Sequence, residues 1–149
     1  MSILATIEAA RRESDPGLLI AAIPYADYLG VTARLEGDAL VSCLPFRQDL
    51  VGNPRLPALH GGAVGAFLEL TALLALLWRL ERVTLPRSVT FSVDYLRSSG
   101  PRDCFARGQV TRLGRRVANV RVEAWQEDPA LPVAQGHAHL LLTPPGAGA

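Results

Sequence analysis

Apolar positions along this chain change their spacing from one segment to the next. In the first 20 residues they recur every three or four positions behind Ser2, which predicts a short amphipathic helix ended by the Asp-Pro-Gly sequence at 15–17. Residues 29–36 and 39–45 instead alternate between apolar and polar side chains on either side of a Gly-Asp pair. That alternation predicts two strands joined in a β-hairpin.

The longest apolar segment, residues 62–80, predicts a helix without a broad polar face. Such a helix has to be enclosed by other elements, because none of its sides is suited to water. Four further β-like segments follow Pro86 and are separated by short turn sequences. We therefore expect an α+β fold in which an antiparallel six-stranded sheet wraps around one long central helix. A single domain is expected over residues 1–149, with a helical extension at 1–20 and a flexible tail at 144–149.

Composition and charge limit the kinds of partner that the chain can attract. Its 149 residues include 15 basic side chains, all arginine, that nearly balance 14 acidic ones. This balance gives no general attraction to nucleic acid or to a membrane surface. The apolar segment is too short and too polar for a membrane span, and no basic segment of the kind that begins a signal peptide precedes the first apolar residues. We expect a cytoplasmic protein.

The two cysteines, Cys43 and Cys104, are isolated in the sequence and match no metal-binding spacing. That isolation favours reduced, buried thiols over a disulfide. We expect neither a metal ion nor a redox cofactor.

Glu69 is the residue that the hydrophobic pattern leaves unexplained. It lies near the middle of the apolar segment, and the helix positions three and four residues away hold only small or apolar residues. A carboxylate buried without a partner costs several kcal/mol. We therefore expect Glu69 to face a cleft and to act there as a nucleophile or a general base.

The start of the central helix carries a second candidate group. Gly61 and Gly62 follow His60, so backbone N–H groups without partners can bind an oxyanion there, although two glycines also suit a tight turn. His60 is a candidate general base, or a residue that hydrogen-bonds the loop backbone. Asn53, in the preceding loop, can donate from its amide to a carbonyl or position a water, and it is also a common turn residue.

Further candidates come after the helix. Ser88 opens the next strand and can hydrogen-bond the carboxylate or its water. Arg112, Arg115 and Arg116 cluster at a predicted hairpin tip, where three guanidinium groups can bind phosphate or can simply be solvated.

Several segments together resemble a known family. They are YLGV before the first strand, Asn53, LHGG with an acid nine residues after its histidine, SVTFSVDYLR after the helix, and RLGRRVANVRVE beyond it. Over residues 28–142 this combination is similar to the hot-dog-fold acyl-CoA thioesterases, in particular the phenylacetic-acid-degradation (PaaI-type) and 4-hydroxybenzoyl-CoA thioesterase branch. The resemblance implies that the sheet and its central helix form a hot-dog fold.

The resemblance also implies a role for each candidate residue. The Gly61 N–H would polarise the thioester carbonyl, Asn53 would assist binding or hold a water, and Ser88 would support the acid or the water. Glu69 would attack the carbonyl or activate the water; many PaaI-type members have aspartate there, so both roles stay open. The implied enzyme is an acyl-CoA thioesterase, a homodimer or a dimer of dimers, with no cofactor besides the CoA of its substrate.

Two other functions remain open at this point. A non-catalytic hot-dog protein that binds or senses acyl-CoA would keep the fold and hold its ligand without releasing CoA. A hot-dog dehydratase would pair an acid with a histidine on the helix, and this helix has no histidine beyond His60. The thioesterase therefore ranks ahead of the dehydratase.

Overall fold

The elements follow the predicted order, with additions near the N-terminus and before the long helix. The computed structural model describes residues 2–82 and 84–142, so the tail expected at 144–149 lies outside the described residues. The helices are α1 (Ile3–Glu13), α2 (Pro16–Ala21), α3 (Pro24–Leu29) and α4 (Gly61–Arg79). The strands are β1 (Thr32–Glu36), β2 (Ala39–Leu44), β3 (Val51–Asn53), β4 (Leu56–Leu59), β5 (Arg87–Tyr95), β6 (Cys104–Leu113), β7 (Val117–Trp125) and β8 (Ala134–Leu141).

The sequence predicts one N-terminal helix, and the structure has three. Helix α1 begins as predicted, with the Ser2 side chain capping it. The Asp-Pro-Gly sequence that ends α1 also begins α2, because the Asp15 side chain caps the new helix and Pro16 takes its first position. Helix α3 likewise begins at Pro24 and ends at Gly30, which adopts a left-handed conformation with φ 71°. These helices are too short to give a helical period in the sequence.

Two other boundaries differ from the prediction. Strand β1 begins at Thr32 rather than at residue 29, because the left-handed turn at Gly30 ends α3 there. The segment predicted as a loop, residues 47–62, contains the antiparallel pair β3 and β4, in which Val51 lies opposite Leu59. Strands of three and four residues are too short to alternate recognisably.

The six longer strands form one antiparallel sheet in the order β1-β2-β6-β7-β8-β5. Helix α4 packs against this sheet, so the predicted six-stranded sheet around a long central helix is confirmed. The approach is very close at Gly108 of β6, where an added Cβ would lie 2.7 Å from the Ala75 Cβ. A side chain at this position would push the helix away from the sheet.

By length and composition, α4 is apolar enough to cross a membrane. However, 56% of its most apolar window is buried inside the fold. Helix α4 is therefore the buried core helix that the enclosing sheet requires.

The N-terminal helices belong to the same core. Ile7 and Ala10 of α1 and Leu19 of α2 are fully buried. The Arg11 guanidinium donates a hydrogen bond to the Leu80 carbonyl, one of the acceptors that the end of α4 leaves without a helical partner. Helix α1 is thus tied to the C-terminal end of α4.

Both cysteines are free thiols, as the sequence predicts, but only Cys104 is buried, whereas Cys43 is partly exposed. Cys43 lies opposite Phe105 and Cys104 lies opposite Leu44, so the two thiols point to opposite faces of the sheet. Burial raises the pKa of Cys104 to about 12, with a smaller contribution from Cys43. The thiol most shielded from water is therefore also the least easily ionised.

Two buried hydroxyl groups differ in their hydrogen bonding. The Thr71 hydroxyl donates to the Phe67 carbonyl at 2.9 Å within α4, as expected for a threonine inside a helix. The Ser42 hydroxyl, on the inner face of β2, has no partner among the described residues. An unpaired buried hydroxyl lowers stability by its desolvation cost.

Ser42→Ala is therefore expected to raise the free energy of unfolding by about 1 kcal/mol, because it removes a polar atom that has no bond to lose. Thr71→Val, which gives up a satisfied hydroxyl, should be neutral or destabilising by up to about 1 kcal/mol. Equilibrium denaturant unfolding of both variants measures the contrast. A destabilised Ser42→Ala protein would show that the hydroxyl is bonded.

Candidate active site

The N-terminus of α4 presents one free backbone N–H rather than two. His60 is the N-cap residue, and its Nδ1 accepts a hydrogen bond from the Gly62 N–H at 2.8 Å. The expectation that both glycine N–H groups are unpaired is therefore wrong for Gly62. Within the part of the chain that the structure describes, the Gly61 N–H has no hydrogen-bond partner. It lies at the positive end of the helix dipole, where an oxyanion is stabilised.

The β3–β4 hairpin fixes the position of this helix start. The backbone N–H of His60 donates to the Leu50 carbonyl at 2.7 Å. Gly52 lies under the imidazole ring, since an added Cβ there would be 2.6 Å from a ring carbon. The Asn53 side-chain oxygen accepts from the Arg55 N–H at 3.0 Å, as in an ordinary Asx turn, and Asn53 is exposed. The role of Asn53 as a substrate ligand stays a prediction.

Tyr95, at the end of β5, contacts the same helix start and was not predicted. Its hydroxyl donates to the Gly61 carbonyl at 2.6 Å. An added Cβ at Gly61 would lie 3.4 Å from the Tyr95 ring, and one at Gly65 would lie 3.1 Å from its hydroxyl. The small residues on this side of α4 therefore make room for the tyrosine. The motif SVTFSVDYLR contains Tyr95, but nothing in its pattern indicates this contact.

Glu69 and Ser88 line one pocket, on the side of α4 that the sheet leaves open. The pocket has a volume of about 380 Å³. Glu69 is half-buried, and its carboxylate has no hydrogen-bond or ion-pair partner among residues 2–82 and 84–142. Apart from Glu69 and Ser88, the lining residues are Ile23, Tyr25, Ala66, Leu70, Leu73, Pro86 and Leu140. The structure thus brings the predicted acid and serine together in a largely apolar surrounding.

A β-bulge at Val89 places Ser88 in this pocket. Phe91 pairs with Ala138, on the core face of the sheet, so strict alternation would turn Val89 inward and Ser88 outward. The register shifts between Ser88 and Thr90, and Ser88 instead lies opposite the buried Leu140. Val89, in turn, is exposed.

The arginines of the β6–β7 turn lie beyond the end of the pocket. Arg112, Arg115 and Arg116 line a cavity of about 780 Å³. A neighbouring cavity of about 710 Å³ adds Arg79 and Arg82, from the end of α4. Within the described residues, none of these five guanidinium groups has an ion-pair or hydrogen-bond partner. A cluster of unpaired arginines is suited to a polyanion.

The arginine cluster and the acid lie on neighbouring parts of one surface. Leu140 lines the Glu69 pocket, and Leu142 lines the cavity with Arg79 and Arg82. Two residues of extended chain span about 7 Å. The acid pocket and the arginine cavity are therefore close to each other at the end of β8.

The described residues contain no group of three or more His, Cys, Asp or Glu side chains placed to hold a metal ion. The pocket itself offers a carboxylate and a hydroxyl, and the N–H donor of Gly61 lies outside it, at the start of α4. Such a set can activate water, or attack a carbonyl directly, and can stabilise the negative charge that forms on the carbonyl oxygen.

Known proteins match both the sequence and the fold. The family model of the thioesterase superfamily matches residues 56–133. A protein of known structure from Chromobacterium violaceum is 38% identical, with a TM-score of 0.76 over 93% of this chain and 97% of that one. No curated protein matches at a significant level.

Two structures at lower identity share the fold. A phenylacetic acid degradation-related protein from Ralstonia eutropha JMP134 is 23% identical, with a TM-score of 0.74 over 92% of this chain and 99% of that chain. The phenylacetic acid degradation protein PaaI from Thermus thermophilus is 23% identical, with a TM-score of 0.66 over 81% and 100%. The family match includes Gly61, Glu69 and Ser88, whereas Asn53 and the N-terminal helices lie outside it.

The hydrogen bond between His60 and Gly62 leads to a stability prediction. His60→Ala should lower the free energy of unfolding by about 1 kcal/mol, because α4 loses its N-cap side chain. His60→Asn should change it by less than about 0.5 kcal/mol, since asparagine is a good N-cap residue. Equilibrium denaturant unfolding tests this. Equal losses in the two variants would mean that the imidazole stabilises the protein in some way other than as a cap.

Proposed function

The chain belongs to the thioesterase superfamily, and from this we propose that it hydrolyses the thioester of an acyl- or arylacyl-CoA to a free acid and CoA. The observation that carries the proposal is the Glu69 carboxylate, which lies with the Ser88 hydroxyl in a largely apolar pocket and has no partner among the described residues. An acid in such a place lowers stability, so a chemical use explains its presence. The LHGG motif, with its acid nine residues after the histidine, supports a place in the PaaI-type branch.

The proposed reaction breaks the C–S bond by one of two routes. As a general base, Glu69 takes a proton from the attacking water, and the proton then passes to the departing sulfur. As a nucleophile, Glu69 forms an anhydride with the acyl group, which water cleaves in a second step. In both routes the Gly61 N–H stabilises the charge on the carbonyl oxygen, and Ser88 holds the acid or the water. A thiolate is a good leaving group, so no further catalytic residue or cofactor is needed.

Gly61 and Glu69 of one chain are too far apart to act on one carbonyl group. Eight helical residues span about 12 Å at 1.5 Å per residue. A second chain, related by a two-fold axis, would bring its own Glu69 beside the first chain's Gly61. The unpaired edge of β5, with Val89 63% and Leu96 45% exposed, is suited to pairing with a second copy of itself. The proposed enzyme is therefore a homodimer, or a dimer of dimers, with two shared sites in each pair.

The arginines are assigned to the phosphates of CoA. Arg112, Arg115 and Arg116 are exposed and unpaired within the described residues, and they line a cavity at the β6–β7 turn. Phosphate groups are the common partners of such a cluster. Arg79 and Arg82 extend the same positive region.

Glu69→Gln is expected to lower kcat by about 100-fold or more while the protein still folds, because the amide keeps the shape but can act neither as base nor as nucleophile. The measurement is release of free thiol from a panel of short, long and aryl acyl-CoAs. Glu8→Gln, an exposed acid on α1, is the matched control and should match the wild type. An unchanged kcat in Glu69→Gln would remove this residue from the mechanism, and a tight complex without CoA release would indicate a binding protein.

Arg115→Ala combined with Arg116→Ala should raise KM more than it lowers kcat, since these side chains bind a part of the substrate far from the reacting bond. The effect should shrink with an acyl-pantetheine thioester, which lacks the nucleotide phosphates. Arg12→Ala, on the exposed side of α1, controls for the loss of positive charge. Equal losses of kcat/KM on the acyl-CoA and the acyl-pantetheine substrate would show that the two arginines do not bind the phosphates and are simply solvated.

A further inference from the structure

Helix α3 is held firmly against the core by one of its sides. Ala26 and Leu29 are buried, and the Arg47 guanidinium donates to the Tyr28 carbonyl at 3.0 Å. The opposite side carries Tyr25 and Tyr28, which remain 52% and 69% exposed. The two tyrosines therefore have fixed backbones and largely uncovered rings.

The exposed side of α3 forms part of the Glu69 pocket. Ile23 and Tyr25 both line it, opposite α4. The rings of Tyr25 and Tyr28 stack with their centroids 5.9 Å apart and their planes 16° apart. Tyr28 does not line the pocket itself, and it contacts Tyr25 through this stacking.

The opposite wall of the pocket is a single stripe of α4. Ala66, Leu70 and Leu73 lie on the same side of the helix as Glu69, at spacings of three and four residues. An acyl group whose carbonyl lies beside Glu69 would rest on this stripe. Its other side would then meet Tyr25 and Ile23, which, like Leu140 of β8, lie outside the region matched by the family.

We propose that α3 is the acyl-selecting wall of this site and that the Tyr25 ring sets the largest acyl group that the pocket accepts. The proposal rests on the proposed function for the identity of the ligand. A tyrosine is suited to this role, because its ring is broad and rigid and cannot change shape to admit a larger acyl group. The pocket's volume of about 380 Å³ lies near the lower end for small-molecule sites, so one ring has a large effect on what fits.

The test compares acyl groups rather than overall activity. Binding constants are measured for non-hydrolysable thioether analogues of hexanoyl-CoA and decanoyl-CoA, and kcat/KM for the matching thioesters. Tyr25→Ala should raise the ratio of kcat/KM for decanoyl-CoA to kcat/KM for hexanoyl-CoA by about tenfold, because it lengthens the pocket. The ratio of the two analogue binding constants should change in the same direction. Tyr25→Phe, which keeps the ring, and Leu131→Ala, an exposed leucine that does not line the pocket, should keep the wild-type ratio.

Each outcome bears on one proposal or the other. If Tyr25→Ala turns over both thioesters with the wild-type ratio of decanoyl to hexanoyl kcat/KM, the proposed role of α3 is wrong. The proposed thioesterase activity is then unaffected. Absence of turnover in every protein overturns the thioesterase, and the analogue binding constants still decide on Tyr25. Wild-type protein that binds neither analogue overturns both. If Tyr25→Ala fails to fold, Tyr25→Leu replaces it. We expect a smaller shift of the ratio in the same direction. No shift would count against the proposed role of Tyr25.

Discussion

The need to enclose an apolar helix governs this molecule. Helix α4 has apolar residues on almost every side, and no side of it suits water. The six-stranded sheet covers much of it and comes very close to it at Gly108, and α1 is tied to its far end by Arg11. Between them they leave a pocket along the stripe from Ala66 to Leu73 that carries Glu69. The proposed site is the part of α4 that the single chain leaves open.

The sequence predicts the features that depend on period and composition. The apolar segment at 62–80 requires an enclosing sheet, and the alternating segments supply its six strands. The acid in that segment also points to the site, because its helical neighbours offer no partner. These inferences need only the local sequence and the cost of burying a charge.

Other features depend on contacts that no local pattern shows. The bulge at Val89 turns Ser88 toward Glu69, although strict alternation would place Ser88 on the opposite face. His60 accepts a hydrogen bond from the Gly62 N–H, which leaves Gly61 as the only one of the two glycines whose N–H has no partner among the described residues. Tyr25 reaches the pocket from a six-residue helix that is too short to show a period.

If two chains share each site, two different defective proteins should restore activity when they are mixed. Gly61→Pro removes the N–H donor at a helix position where proline is tolerated, and Glu69→Gln removes the acid. If each is nearly inactive, refolding them together in equal amounts makes about half of the dimers mixed, and each mixed dimer has one intact site. Shared sites predict that the mixture recovers roughly a quarter of the wild-type activity. A mixture that stays as inactive as its parents, despite demonstrated subunit exchange, would show that each chain carries a complete site.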